Sequence, residues 1–116
     1  MSRGLGDVYK RQVIMWDNDP KAIDLAIKEI DSPNLSSHVV DVSNYEEVDK
    51  IVMEITKNSN IDILINNAGI TGPTATLWEY DIEMWKKVVE INLMGTFNCC
   101  RSVSYTHLTL PTRIFV

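Results

Sequence analysis

Asp17, Asp41 and the pair Asn66-Asn67 each stand where a run of apolar residues stops. A carboxylate only accepts hydrogen bonds, whereas an amide accepts and donates. On three successive apolar runs these residues form a cluster of acceptors and donors, which is what a polar ligand needs. Asp and Asn also favour turns and helix caps, so each alone has an equally good structural explanation. Together they favour a site. Asn92 adds a second anomaly, falling on the apolar helical stripe of Trp85, Val88, Val89, Leu93 and Thr96. A buried amide needs partners for its carbonyl and both N–H hydrogens. Asn92 is therefore expected to enter a network or face a wet site; propping a neighbouring loop is the plainer alternative. Gly95, close by, costs helix propensity and points to close packing against another backbone, unless it is simply tolerated.

The elements that position these residues follow from the pattern. Val13-Ile14-Met15-Trp16 is an apolar run of the kind a strand buried on both faces shows, ending at Asp17. Asn18 or Asp19 can cap a helix with Pro20 in its first turn and Ile23, Ala26, Ile27 and Ile30 at helical spacing. Ser32-Pro33-Asn34 ends it. A second strand is expected over Ser37 to Val42. Ser43 with Glu46 then forms a capping-box pattern before a helix that buries Val48, Ile51, Val52 and Ile55. Ile61 to Asn66 reads as a third strand, and Ala68 to Tyr80, with Gly69, Gly72 and Pro73, as an irregular loop. Asp81 can cap a last helix running to about Arg101. Strands alternating with helices predict an α/β fold with a parallel sheet, whose ligand edge is the carboxyl end of the strands.

Composition narrows the function classes. The chain has 116 residues, 45% hydrophobic and 23% charged, with a net charge of −5. That is ordinary globular composition, with room for one small domain. The acidic balance argues against nucleic acid and against an anionic membrane surface. No apolar stretch reaches the roughly 18–20 residues of a membrane span. The two cysteines, Cys99 and Cys100, are adjacent, which suits a reducing compartment such as the cytoplasm and supplies no CxxC pair. No metal site is expected.

Both termini read as foreign. Ser2 to Gln12 back-translates into a string resembling a sequencing adapter followed by a transposase recognition end. Val103 to Thr112 resembles the reverse complement of that end with the second adapter. Residues 1–12 and 102–116 are therefore expected to be adapter-derived or otherwise non-native, leaving Val13 to Arg101 as the natural stretch of a longer gene. Gly4-Leu5-Gly6, which mimics a phosphate loop, is discarded. No strand precedes it, and the gap to Asp17 cannot hold a helix.

ILINNAGI (Ile63 to Ile70), Asp41-Val42 and INLMGTF (Ile91 to Phe97) resemble the short-chain dehydrogenase/reductase family, in the family's order and spacing across Val13 to Arg101. The resemblance implies part of a Rossmann-type doubly wound parallel sheet. It would comprise three strands and three helices, without the first strand and the C-terminal half. It implies hydride transfer between a nicotinamide cofactor and a small alcohol or carbonyl substrate. Asp17 would bind the adenosine ribose hydroxyls and favour NAD over NADP. Asp41 and the backbone of Val42 would flank the adenine, and Asn67, Ala68 and Gly69 would line the cofactor. Asn92 matches the helix asparagine that props the catalytic lysine through a water. The parent is expected to be a homo-oligomer, a dimer or tetramer. Its substrate would resemble that of a 3-oxoacyl reductase or of a sugar-acid or polyol dehydrogenase.

The family's glycine-rich loop and first strand would lie before Val13, and its catalytic serine and Tyr-xxx-Lys pair after Arg101. No tyrosine of this chain has lysine four residues on. The chain is therefore expected to bind NAD weakly and not to turn over. The Ile61 strand, lacking its neighbour, would pair with the Val13 strand or stay partly molten. Two rivals remain. One is a non-catalytic NAD-binding regulator of the same fold. The other is a receiver-type signalling domain, disfavoured because the third strand ends in amides where a phosphorylatable aspartate is needed.

Overall fold

In the computed structural model, which describes residues 11–106 and 113–115, parallel strands alternate with helices. The chain divides into two units, one ending at Val40 and the other beginning at Asp41.

In the first unit, β1 (Val13–Asp17) pairs in parallel with β2 (Leu35–Val39), from Val13 opposite Leu35 to Asp17 opposite Val39. Val13 N–H donating to Asn34 O and Val40 N–H donating to Asp17 O, each at 2.9 Å, extend the ladder at both ends. Between the strands lies α1 (Pro20–Ile30), capped by Asp19, whose carboxylate accepts from Lys21 N–H at 3.0 Å. It stops at Asp31, left-handed at φ 46°, a conformation Asp tolerates better than most side chains. β2 begins two residues earlier than expected and stops at Val39 instead of Val42. Its partner strand ends at Asp17 and turns into the α1 cap, so later residues have no ladder to join. Ile23 is buried as expected, while Ile30, the last residue of α1, is exposed.

In the second unit, α2 (Tyr45–Thr56) buries Val48 and Val52 completely. Its cap is Asn44, which accepts from Glu47 N–H at 3.2 Å, and not Ser43. Ser43 instead turns back to Asp41, donating to its carboxylate from both N–H and Oγ. β3 (Ile63–Ile65) pairs in parallel with β4 (Arg113–Phe115), a strand in the stretch expected to be foreign. Its partner is thus not the Val13 strand, and the described strands form two pairs where one sheet was expected. Strands of the doubly wound order that are not adjacent offer each other no hydrogen-bonding edge. Ile63 and Ile65 are exposed and Leu64 half-buried, the alternation of a strand covered on one face.

A long helical rod completes this unit. α3 (Ile82–Val89), capped by Asp81, continues through a π turn (Glu90–Met94) into α4 (Gly95–Thr106). At the wide turn Gly95 N–H reaches back five residues to Glu90 O. The extra residue rotates everything downstream by roughly 100° relative to a regular helix. The expected single stripe is therefore broken. Trp85 and Leu93 are exposed, and the buried face consists of Gly95, Asn98, Cys99, Ser102 and Val103. That face packs on Val48 and Val52 of α2, each buried valine contributing about 1.5–3 kcal/mol.

Candidate functional site

Asp17 ends β1 in the first unit, exposed, with Oδ1 accepting from Asp19 N–H at 2.9 Å. Its second carboxylate oxygen has no partner among the described residues. Asn18 and Asp19 follow, so no cation directly adjoins Asp17 in the chain.

In the second unit, Asp41 to Asn44 form a closed turn. Asn44 N–H donates to Asp41 O at 3.0 Å. Asp41 Oδ1 accepts from Ser43 N–H at 3.0 Å and from Ser43 Oγ at 2.7 Å, and Asp41 N–H donates to Glu47 Oε1 at 3.4 Å. Among the described residues, Asp41 Oδ2 and Val42 N–H remain unbonded. An acceptor and a donor are thus presented on one exposed turn.

Beneath that turn lies α4. A Cβ placed on Gly95 would come within 2.6 Å of Val42 Cγ2, so the close approach expected of Gly95 is made against Val42. Asn98, 5% exposed, donates from Nδ2 to Val42 O at 2.9 Å. One turn on, Ser102 Oγ donates to Asp49 Oδ1 at 2.8 Å. Sequence reasoning missed Asn98. The available signal was its spacing of three from Gly95, which puts an amide on the face where a backbone comes close.

After β3, Asn66 ties strand to strand, its N–H donating to Phe115 O at 2.6 Å and its amide to the same oxygen at 3.2 Å. Asn67, Ala68 and Gly69 follow, all exposed. Asn92 is exposed rather than buried, because the π turn carries it off the packed face. Its amide is nevertheless committed. Oδ1 accepts from Ile70 N–H and Nδ2 donates to Ile70 O, both at 2.8 Å. A Cβ on Gly69 would stand 3.2 Å from Asn92 Oδ1, so a small residue suits the junction. The network expected of Asn92 therefore exists, and its partner is the loop after β3.

The structure brings Gly69 and Asn92 together, and seats Asp41-Val42 on the same rod a few residues further along. Farther out, Tyr80 closes over Gly72 and meets Trp85 edge-on, with ring centroids 5.9 Å apart. Leu77, Tyr80, Ile82 and Trp85 line an open apolar pocket of about 230 Å³. Cys99, desolvated in the helix interface and next to Cys100, has its pKa pushed up to about 11, so it stays a thiol and is no nucleophile. Among the described residues no His, Cys, Asp and Glu side chains converge as a metal site would need, and no helix is long and apolar enough to cross a membrane.

The family model described as short chain dehydrogenase matches residues 8–109. The 2-dehydro-3-deoxy-L-rhamnonate dehydrogenase (NAD(+)) of Sphingomonas sp. is 37% identical over 94 residues, covering 78% of this chain and 36% of that protein. The 3-oxoacyl-[acyl-carrier-protein] reductase of Synechocystis sp. is 36% identical over 114 residues, covering 89% of this chain and 46% of that protein. Among solved structures, NAD+-bound xylitol dehydrogenase superposes with a TM-score of 0.80 at 29% identity, over 89% of this chain and 41% of the other. An actinorhodin polyketide ketoreductase with NADPH gives 0.75 at 28%, over 82% and 37%. The chain thus spans less than half the length of the relatives it matches.

Proposed function

This chain belongs to the short-chain dehydrogenase family, and we propose that it is the cofactor-binding middle of an oxidoreductase acting on a small alcohol or carbonyl compound. The cofactor is a nicotinamide dinucleotide, which supplies the hydride acceptor or donor when bound. The observation that carries this reading is the double hydrogen bond between Asn92 and Ile70. It fixes the segment leaving β3, so that Asn67, Ala68 and Gly69 present a narrow backbone edge to the cofactor.

In the second unit, the turn at Asp41 and Val42 fits an adenine ring. Adenine offers a donating exocyclic amine beside an accepting ring nitrogen, the complement of Asp41 Oδ2 and Val42 N–H. In the first unit, the second oxygen of Asp17 would accept from ribose hydroxyls, and its charge would repel a 2′-phosphate. These features support NAD over NADP, and with it an oxidative dehydrogenase on a sugar acid or polyol over an acyl reductase. Asn92 would also help place the lysine of a Tyr-xxx-Lys pair of the kind the family uses. No tyrosine of this chain has lysine four residues on, so the chain alone is expected to lack a group that passes a proton to the carbonyl oxygen. Residues 1–12 and 102–116 are read as non-native.

Two free cysteines fit a reducing, cytoplasmic setting. The exposed side chains of Leu77, Trp78, Ile82 and Trp85 support self-association of the full-length protein, since contiguous apolar surface marks contact sites. Calorimetric titration of the full-length protein with NAD+ and NADP+ tests the central reading. Saturable binding with NAD+ preferred is expected, and no binding of either dinucleotide would refute it.

A further inference from the structure

Asn98 has no place in the site expected from sequence, yet it is one of two polar residues in the buried set and its amide is aimed at a single backbone atom, Val42 O. That carbonyl belongs to the peptide unit joining Val42 to Ser43. The N–H of the same unit is Ser43 N–H, which donates to Asp41 Oδ1 at 3.0 Å. The peptide is planar and trans, so its C=O and N–H point in opposite directions and turn as one rigid plate. A hydrogen bond on one side of the plate therefore sets the direction of the donor on the other.

We propose that Asn98 is a positioning residue for cofactor recognition, orienting the Asp41 carboxylate through the Val42–Ser43 peptide. The relay runs from Asn98 Nδ2 to Val42 O, across the plate to Ser43 N–H, and on to Asp41 Oδ1. Ser43 Oγ adds a second bond to the same oxygen, leaving Oδ2 turned outward with a fixed aim. Gly95 makes the arrangement possible, because a side chain there would push Val42 away from the helix. The helix thus reaches an exposed carboxylate that it never touches. A leucine at position 98 would fill similar space but leave Val42 O without its donor and the plate free to rock. This deepens, and rests on, the reading that Asp41 meets the adenine amine.

The test compares NAD+ with nicotinamide hypoxanthine dinucleotide, in which an oxo group replaces the adenine amine, binding to the full-length protein. The wild type is expected to prefer NAD+ by about tenfold or more, since an oxo group repels a carboxylate where the amine donates to it. Asp41→Ala lowers that preference to the part set by Val42 N–H, which meets an accepting ring nitrogen in adenine and a protonated one in hypoxanthine. Asn98→Ala lowers the preference several-fold, and Asp41→Ala/Asn98→Ala falls no further than Asp41→Ala alone, because both act on one contact. A merely structural Asn98 would lower the melting temperature and leave the preference intact, which overturns the proposal. If the wild type shows no preference, or Asp41→Ala keeps it undiminished, the adenine reading fails instead. A measurement that needs no variant is hydrogen exchange of Ser43 N–H in the unliganded wild type. Protection is expected, and exchange at the rate of a free amide overturns the relay.

Discussion

Asn92 grips Ile70 at both ends of its backbone, taking its N–H with Oδ1 and giving Nδ2–H to its carbonyl, each at 2.8 Å. No other side chain among the described residues pairs so completely with one residue of the loop after β3. Replacing Asn92 with leucine removes both bonds and costs about 1–3 kcal/mol, read from urea unfolding. Asn92→Asp keeps the acceptor but, once ionised, sets a charge against Ile70 O. Protonated, the carboxyl can donate to Ile70 O as the amide does; ionised, it cannot, so Asn92→Asp is expected to lie closer to wild type at acid pH than at neutral pH. A flat pH profile relative to wild type would remove this account.

Gly95→Ala sets two effects of opposite sign against each other. Alanine gains about 1 kcal/mol of helix propensity, while its Cβ at 2.6 Å from Val42 Cγ2 costs about 1–3 kcal/mol of overpacking. The net result is destabilisation, relieved in Gly95→Ala/Val42→Ala, where the clashing methyl is gone. A Gly95→Ala variant more stable than wild type would mean that the helix and the turn are not in contact.

Cys99 makes stability pH-dependent at the alkaline end. Its folded pKa, about 11, lies above the ordinary thiol value of 9.0, because burial and then neighbouring Cys100 disfavour the thiolate. The unfolded thiol ionises first. The contribution is thus fully present below about pH 9 and is lost as pH rises towards 11, by on the order of 2 kcal/mol. Cys99→Ala should flatten that part of the profile. Cys99 should also resist alkylation at pH 8 while half-buried Cys100 reacts first, as peptide mapping by mass spectrometry would reveal.

If Asp17 meets the adenosine ribose as proposed, Asp17→Ala in the full-length protein should raise NADP+ affinity relative to NAD+ by about tenfold or more, because a charge that would repel the 2′-phosphate is removed. Calorimetry with both dinucleotides measures the ratio. An unchanged ratio would show that Asp17 serves only as the Asx turn it makes with Asp19.

Residues governed by local chemistry were legible in the sequence. Of the two candidates Asn18 and Asp19 it is Asp19 that caps the first helix, Asp81 caps the helix it was expected to cap, and Ile23, Val48 and Val52 are buried where periodicity placed them. Asn92 was singled out as a buried amide on an apolar stripe; it is exposed, yet its amide is committed to Ile70. What escaped were features set by contacts distant in sequence or by a change of helical pitch. The expected Ser43 cap gave way to Asn44 because Ser43 is drawn to Asp41. Asn98 looks like any helix amide until Val42 O is found opposite it. The stripe through Trp85 and Leu93 assumed a constant 3.6 residues per turn, which the π turn violates.

That turn makes chain length, and not side-chain chemistry, the variable that matters between Val89 and Gly95. One rigid rod serves two separate loops, holding Ile70 through Asn92 and Val42 through Gly95 and Asn98. Deleting any single residue of Glu90–Met94 would leave composition and hydropathy nearly untouched, yet would swing one grip away from its loop while the other stayed in place. No substitution can imitate or repair that loss; only a compensating insertion can. Residues 90–94 should therefore tolerate many changes of identity and almost none of number.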